Sequence, residues 1–144
     1  MFELNPRLEQ DSLLIGDFKL CTVRLMNDAR YPWVILIPKR EGVTEAFQLD
    51  ENDQQQLNKE SLYVAKLLAA LVDADKMNIA ALGNVVSQLH IHHVARYKGD
   101  ETWPAPVWGK GDVVPYEQAE SEAVIQQLRL TFNEQLSNGD RTKI

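Results

Sequence analysis

The chain is poor in several residue types, and each shortage removes a class of protein. Its single cysteine, Cys21, cannot form an internal disulfide, so a small disulfide-stapled architecture is excluded. Cys21 lies in the apolar run 18–26 and reads as a small buried side chain rather than a reactive thiol. Basic residues are in deficit, 15 Lys and Arg against 21 Asp and Glu, giving a net charge of -6 and a pI near 5.0. Holding long nucleic acid by its phosphates needs a clustered cationic surface, so no such partner is expected. No apolar run approaches the roughly 18 residues of a membrane span, and residues 1–6 lack a basic stretch followed by an apolar core. The expectation is a cytoplasmic protein with no membrane partner. Repeats, low-complexity tracts and dividing linkers are also missing. The 144 residues, 44% hydrophobic and 25% charged, suit one globular domain over 1–144.

Two patterns divide the chain. Residues 12–15, the pair Gly16-Asp17 and residues 18–26 read as a hairpin with a tight two-residue turn. Residues 27–32 form a loop in which Pro32 keeps Tyr31 extended, and 33–37 is a continuously apolar, buried strand. From Asp50 the period becomes helical. Asp50 caps a helix whose first turn carries Glu51 and Asp53, and Leu57, Val64, Leu68, Leu71 and Val72 supply its apolar stripe over about 22 residues. Residues 77–82 and 88–96 read as two antiparallel strands with Asn84 near their turn. An irregular Trp- and Pro-rich loop, 103–109, follows. A second amphipathic helix from about Glu117 to Leu136 closes the chain, with Gly139 past its end. Strand blocks around one long helix predict an α+β fold with a mainly antiparallel sheet and a C-terminal helix.

Imidazole is scarce too, and it is concentrated. All three histidines fall in Gln88-Leu89-His90-Ile91-His92-His93-Val94-Ala95-Arg96. On a strand, Gln88, His90 and His92 share one face while His93 turns away as a structural residue. Three readings follow. His-x-His is a sound ligand pair for zinc or copper, with Cys21, His93 or a carboxylate as the third donor. The imidazoles could instead be satisfied polar groups on a half-buried strand. Or His90, between Gln88 and His92, acts as nucleophile or general base, a neighbour on one ring nitrogen fixing its tautomer.

The segment resembles the signature of the histidine triad (HIT) family of nucleotide hydrolases and transferases, His-φ-His-φ-His-φ-φ. In the preferred register His90 is the middle histidine, Gln88 takes the first position and His92 the third, and Arg96 falls where family members often carry arginine. Gly83-Asn84 precedes His90 where the family commonly has Gly-Gln or Gly-Asn. Residues 34–40 resemble the family strand ending in Pro-Lys, and Asn27 resembles the polar residue that binds ribose, in a loop about two residues shorter than usual. The likeness covers roughly residues 18–103, and with the Trp-Pro that follows looks like a bacterial branch of small HIT proteins.

The resemblance implies a HIT-like fold and attack by His90 on the α-phosphorus of a nucleotide anhydride, ester or phosphoramidate. A covalent nucleotidyl-histidine forms, and water releases a nucleoside monophosphate. His92 and Asn84 would hold phosphate oxygens and Asn27 the ribose, with no cofactor and no protein-bound metal, in a homodimer. Dinucleoside polyphosphates and nucleoside phosphoramidates both offer such a phosphorus. Gln88 departs from the pattern: it can orient His90 or bind phosphate but cannot titrate near neutrality. A nucleotide-binding module without turnover therefore stands as the alternative, and a metal-dependent hydrolase behind it.

Overall fold

In the computed structural model, which describes residues 1–137, the elements follow the sequence pattern with four differences. They are α1 (Pro6–Asp11), β1 (Ser12–Asp17), β2 (Cys21–Met26), β3 (Trp33–Pro38), a 3-10 turn (Ala46–Gln48), α2 (Glu51–Val72), β4 (Lys76–Ala80), β5 (Ile91–Arg96) and α3 (Gln118–Thr131). One antiparallel sheet runs β1-β2-β3-β5-β4, so β5 is an interior strand. The fold is α+β, with the long helix and the C-terminal helix that the periodicity predicts.

α2 begins as its sequence signal requires: the Asp50 carboxylate accepts from the Asp53 amide at 2.8 Å, and Glu51 and Asp53 occupy the first turn. Its Leu57, Val64 and Leu68 pack with Val23, Leu25, Val34, Leu36 and Ala95 on one face of the sheet. Leu128 and Phe132 from the α3 end join that same core, so the terminal helix covers the sheet beside α2. On the other face Trp33, Ile35 and Ile37 of β3 and Val94 of β5 meet Leu8 of α1 and Val107 of the Trp-rich loop. The strand 33–38 is buried on both faces, as its unbroken apolar run implies. No helix among the described residues is long and apolar enough to cross a membrane.

The first correction concerns the hairpin. Gly16 and Asp17 are not its turn: they lie in β1, with a register shift between Leu14 and Gly16, and the chain reverses over 18–20. A tertiary contact sets that position, because the buried Glu60 carboxylate of α2 accepts from the Leu20 and Cys21 amides at 2.9 and 3.0 Å. The second is the histidine strand, whose ladder starts at Ile91 rather than Gln88; β4 likewise ends at Ala80. The third is α3, which ends at Thr131 and passes into turns through Leu136. Gly139 lies outside the described residues. α1, absent from the periodicity, is also present: Asn5 caps it through its side chain to the Arg7 amide at 2.8 Å, with Pro6 at its first position.

Candidate functional site

Strand alternation puts His92 on the face away from α2. His92 pairs with Ile35 and His93 with Val34, so they take opposite sides of the sheet. His90, just ahead of β5, curls back onto the same side as His92, their ring centroids 4.8 Å apart and their planes at 74°. Both rings are more than nine-tenths buried.

Hydrogen bonds fix the tautomer of each neutral ring. His90 Nδ1 lies 2.7 Å from the Gln88 carbonyl oxygen, which only accepts, so Nδ1 carries the proton and Nε2 keeps its lone pair. For His92 the Trp33 indole N–H donates to Nδ1 at 3.0 Å, and Nε2–H donates to the Leu82 carbonyl at 3.2 Å. His92 is thus a neutral ring engaged at both nitrogens. Burial, with a smaller effect from His90, pushes it down from 6.5 to about 4. One free imidazole lone pair beside one neutral imidazole is an arrangement for nucleophilic attack rather than for two charged groups.

His90 lies between two hollows. One, of about 190 Å³, is mainly apolar, with Met26, Trp33, Val86 and Trp108 among its walls and Asn84 and His92 at the histidine end. The other, of about 240 Å³, is more polar and is lined by Thr44, Glu45, Asn84, Ser87 and Gln88. Asn84 and His90 border both. Gly83 precedes Asn84 in a turn so tight that a β-carbon there would stand 2.7 Å from the Val86 carbonyl oxygen, so glycine is required for steric reasons.

The remaining sequence candidates separate. Asn27 lines a third hollow of about 420 Å³, which shares Arg7, Asp11, Met26, Trp33 and Trp108 with the apolar one. Its Oδ1 accepts from the Tyr116 amide at 2.9 Å, so it also fastens the segment before α3. Gln88 does not stand in a row with the histidines. Its Oε1 accepts from the Asn5 amide and its Nε2 donates to the Glu3 carbonyl, both at 2.8 Å. What orients His90 is the main-chain carbonyl of Gln88, because the chain there has not yet entered the β5 ladder. His93 is fully buried on the other face, donating from Nδ1 to Val34 O and paired with Ser61 through Nε2. Arg96 chelates both Asp100 oxygens at 2.8 and 2.9 Å and is structural. Arg40 is bound to Asp53, and Lys39 to Asp17 and the Phe18 carbonyl. Cys21 is buried beside Glu60, both of which push its thiol upward. Among the described residues no three His, Cys, Asp or Glu side chains converge as a metal site would require.

Sequence reasoning takes Trp108 as a packing residue and places neither it nor Trp33 beside the histidines. Trp33 and Trp108 pack edge-on against His92 at 5.6 and 5.2 Å and against each other at 5.9 Å. The Trp108 indole N–H is buried and has no hydrogen-bond partner among the described residues. Trp33 could have been found by register, since it lies two residues before Ile35, the partner of His92. No local pattern announces Trp108, because its loop has no period.

Residues 7–99, well over half of the chain, match the model of the HIT domain. The chain belongs to the histidine triad (HIT) family. A solved histidine triad protein from Marinobacter aquaeolei VT8 is 44% identical, with a TM-score of 0.92 over 94% of this chain and 98% of that one. A histidine triad (HIT) protein from Sinorhizobium meliloti 1021 is also 44% identical, with a TM-score of 0.87 over the same shares. A hypothetical histidine triad nucleotide-binding protein from Sulfolobus tokodaii strain7, 18% identical over 89% of this chain and 88% of that one, shares the fold at a TM-score of 0.65. No curated protein matches the chain. Family membership brings nucleotide binding and hydrolase or transferase chemistry in general terms.

Proposed function

We propose that the protein is a nucleotide hydrolase or nucleotidyl transferase that works through a covalent nucleotidyl-histidine. The observation that carries this is the His90 ring, its Nδ1 proton committed to the Gln88 carbonyl and its Nε2 lone pair free at the junction of two hollows. Nε2 attacks the α-phosphorus, a P–N bond forms, and the bond from phosphorus to the leaving group breaks. Water then attacks the same phosphorus, the P–N bond breaks, and nucleoside monophosphate leaves with His90 restored. Asn84, bordering both hollows, holds phosphate oxygens as charge moves onto them, and His92 joins it by turning its Nε2–H from the Leu82 carbonyl to a phosphate oxygen. Asn27 serves the ribose from the adjoining hollow, and the apolar walls receive the base. No step uses a protein-bound metal or cofactor.

The polar hollow suits the leaving group, and its lining includes the Glu45 carboxylate but no lysine or arginine. That charge balance favours an amine or alcohol over a polyphosphate, so adenosine phosphoramidate should be cleaved faster than diadenosine tetraphosphate. Incubating metal-stripped protein with both and following AMP by chromatography tests this. Release by the wild type and none by His90→Ala is the expected outcome. A tetraphosphate preference would overturn the leaving-group assignment. No release from either protein, with AMP binding intact, would establish the non-catalytic binding module, a reading that the untitratable Gln88 supports.

The same reading includes a cytoplasmic homodimer. β4 has an open edge, and Ile79 on it and Leu62 on α2 are 46% and 57% exposed, a combination a second copy would cover. Light scattering should give twice the chain mass at micromolar concentration, and a monomer mass would reject pairing.

A further inference from the structure

The residue two places before the nucleophile spends its side chain on the start of the chain. Gln88 Oε1 accepts from the Asn5 amide and Nε2 donates to the Glu3 carbonyl, two bonds of 2.8 Å across more than 80 residues of sequence. Asn5 is also the N-cap of α1, its Oδ1 accepting from the Arg7 amide at 2.8 Å. α1 in turn presents Arg7, Leu8 and Asp11 to the hollow that contains His90 and His92. Phe2 and Leu4 pack on the core of the same sheet face, so the arm is seated rather than loose. At its other end the Gln88 carbonyl holds His90 Nδ1. One residue therefore touches the nucleophile with its backbone and the pocket wall's cap with its side chain.

We propose that Gln88 is a positioning residue, a latch through which the segment 1–5 holds α1 against the substrate hollow and so sets nucleotide affinity. An amide suits this place because it offers one acceptor and one donor to two successive backbone groups and stays neutral at every working pH. The latch rests on the proposed function, since the hollow it shapes is taken to receive the nucleotide. It acts on binding, because neither end of the amide faces the reacting atoms.

Gln88→Ala should raise the AMP dissociation constant and the KM about two- to tenfold, the loss expected for one or two neutral hydrogen bonds, a larger effect than on kcat. Gln88→Glu keeps the acceptor for the Asn5 amide but sets a carboxylate oxygen against the Glu3 carbonyl, so it should lose at least as much as Gln88→Ala. Asn5 has φ -57, which proline tolerates, so Asn5→Pro removes the amide donor, and Asn5→Ala controls for the lost cap. If the latch operates, the Asn5→Pro effect measured against Asn5→Ala vanishes in the Gln88→Ala background. Multiplying effects, or a fall in kcat at unchanged AMP affinity, would overturn it. Amide hydrogen exchange gives a readout independent of nucleotide. Gln88→Ala should speed exchange at residues 8–11 while α2 stays protected, and unchanged exchange there would refute the latch even if the wild type bound no AMP. Absence of AMP binding by the wild type would by itself sink the proposed function instead.

Discussion

At the residue scale, the hydrogen-bond partner of Nδ1 decides what each histidine can do. His90 and His92 are alike in the sequence, yet one ring faces a carbonyl on Nδ1 and the other an indole N–H. The first is thereby left with a nucleophilic Nε2 and the second is held neutral with Nε2–H as a donor. Trp33→Phe removes the indole donor while keeping an aromatic wall, so the His92 Nδ1 becomes free to take a proton. Its titration midpoint should rise from about 4 by about half to one pH unit, the equivalent of one lost neutral hydrogen bond. Imidazole NMR titration would read this directly. An unmoved midpoint would mean that burial alone depresses it. The histidine cluster and its likeness to the triad signature were legible without a structure because a strand's period of two is local. Trp33 and Trp108 were not, since their contact with His92 crosses strands and loops.

At the element scale, the loop after β5 is held by a buried ion pair. Arg96, 1% exposed, chelates Asp100, donates to Asn78 on β4 and to Thr102, and lies over the Tyr31 and Trp103 rings. Asp100 in turn accepts from the Tyr97, Thr102 and Trp103 amides. Arg96, with help from those amides, holds its carboxyl well below the usual range. Arg96→Met keeps the bulk but leaves the carboxylate unpaired, and a loss of about 3–5 kcal/mol in urea unfolding is expected. A loss under 1 kcal/mol would show that the amides suffice. The arginine's place at the end of the histidine strand was readable, but its partner four residues on was not. At the same scale α1 escaped notice because six residues are too few to show a helical period. Asn5-Pro6 was its only mark, a cap followed by the residue that tolerates a missing amide hydrogen.

At the scale of the whole molecule, two buried histidines tie stability to pH. His92 and His93, on opposite faces, both fall from 6.5 to about 4, chiefly through burial. Their folded values lie below the unfolded one, so the native state resists protonation and the unfolded chain takes up the protons first. Their stabilisation is complete above pH 6.5 and is lost as pH falls from there through about 4. Across the middle of that window each contributes a slope of roughly 1 kcal/mol per pH unit. Thermal melts should show the midpoint dropping between pH 7 and 5, and His93→Asn should make that drop shallower. An equal slope in the variant would remove His93 from the account.

Wherever a property depends on neighbours within a few residues, the sequence by itself determined it. The capped 22-residue helix, the doubly buried strand 33–38, the opposite facing of His92 and His93, and the exclusion of a disulfide scaffold are of this kind. Tertiary structure decided what long-range contacts control. Glu60, some 40 residues away, sets where the first hairpin turns. The end of β4 and the late start of β5 leave the Gln88 carbonyl outside the ladder, free to accept from His90 Nδ1. And the chain's first five residues, on the far side of more than 80 others, turn Gln88 away from the histidine row. The physical reason is the same in each case. A hydrogen-bond donor or acceptor goes to the partner that burial brings within 3 Å, and burial is a property of the whole fold.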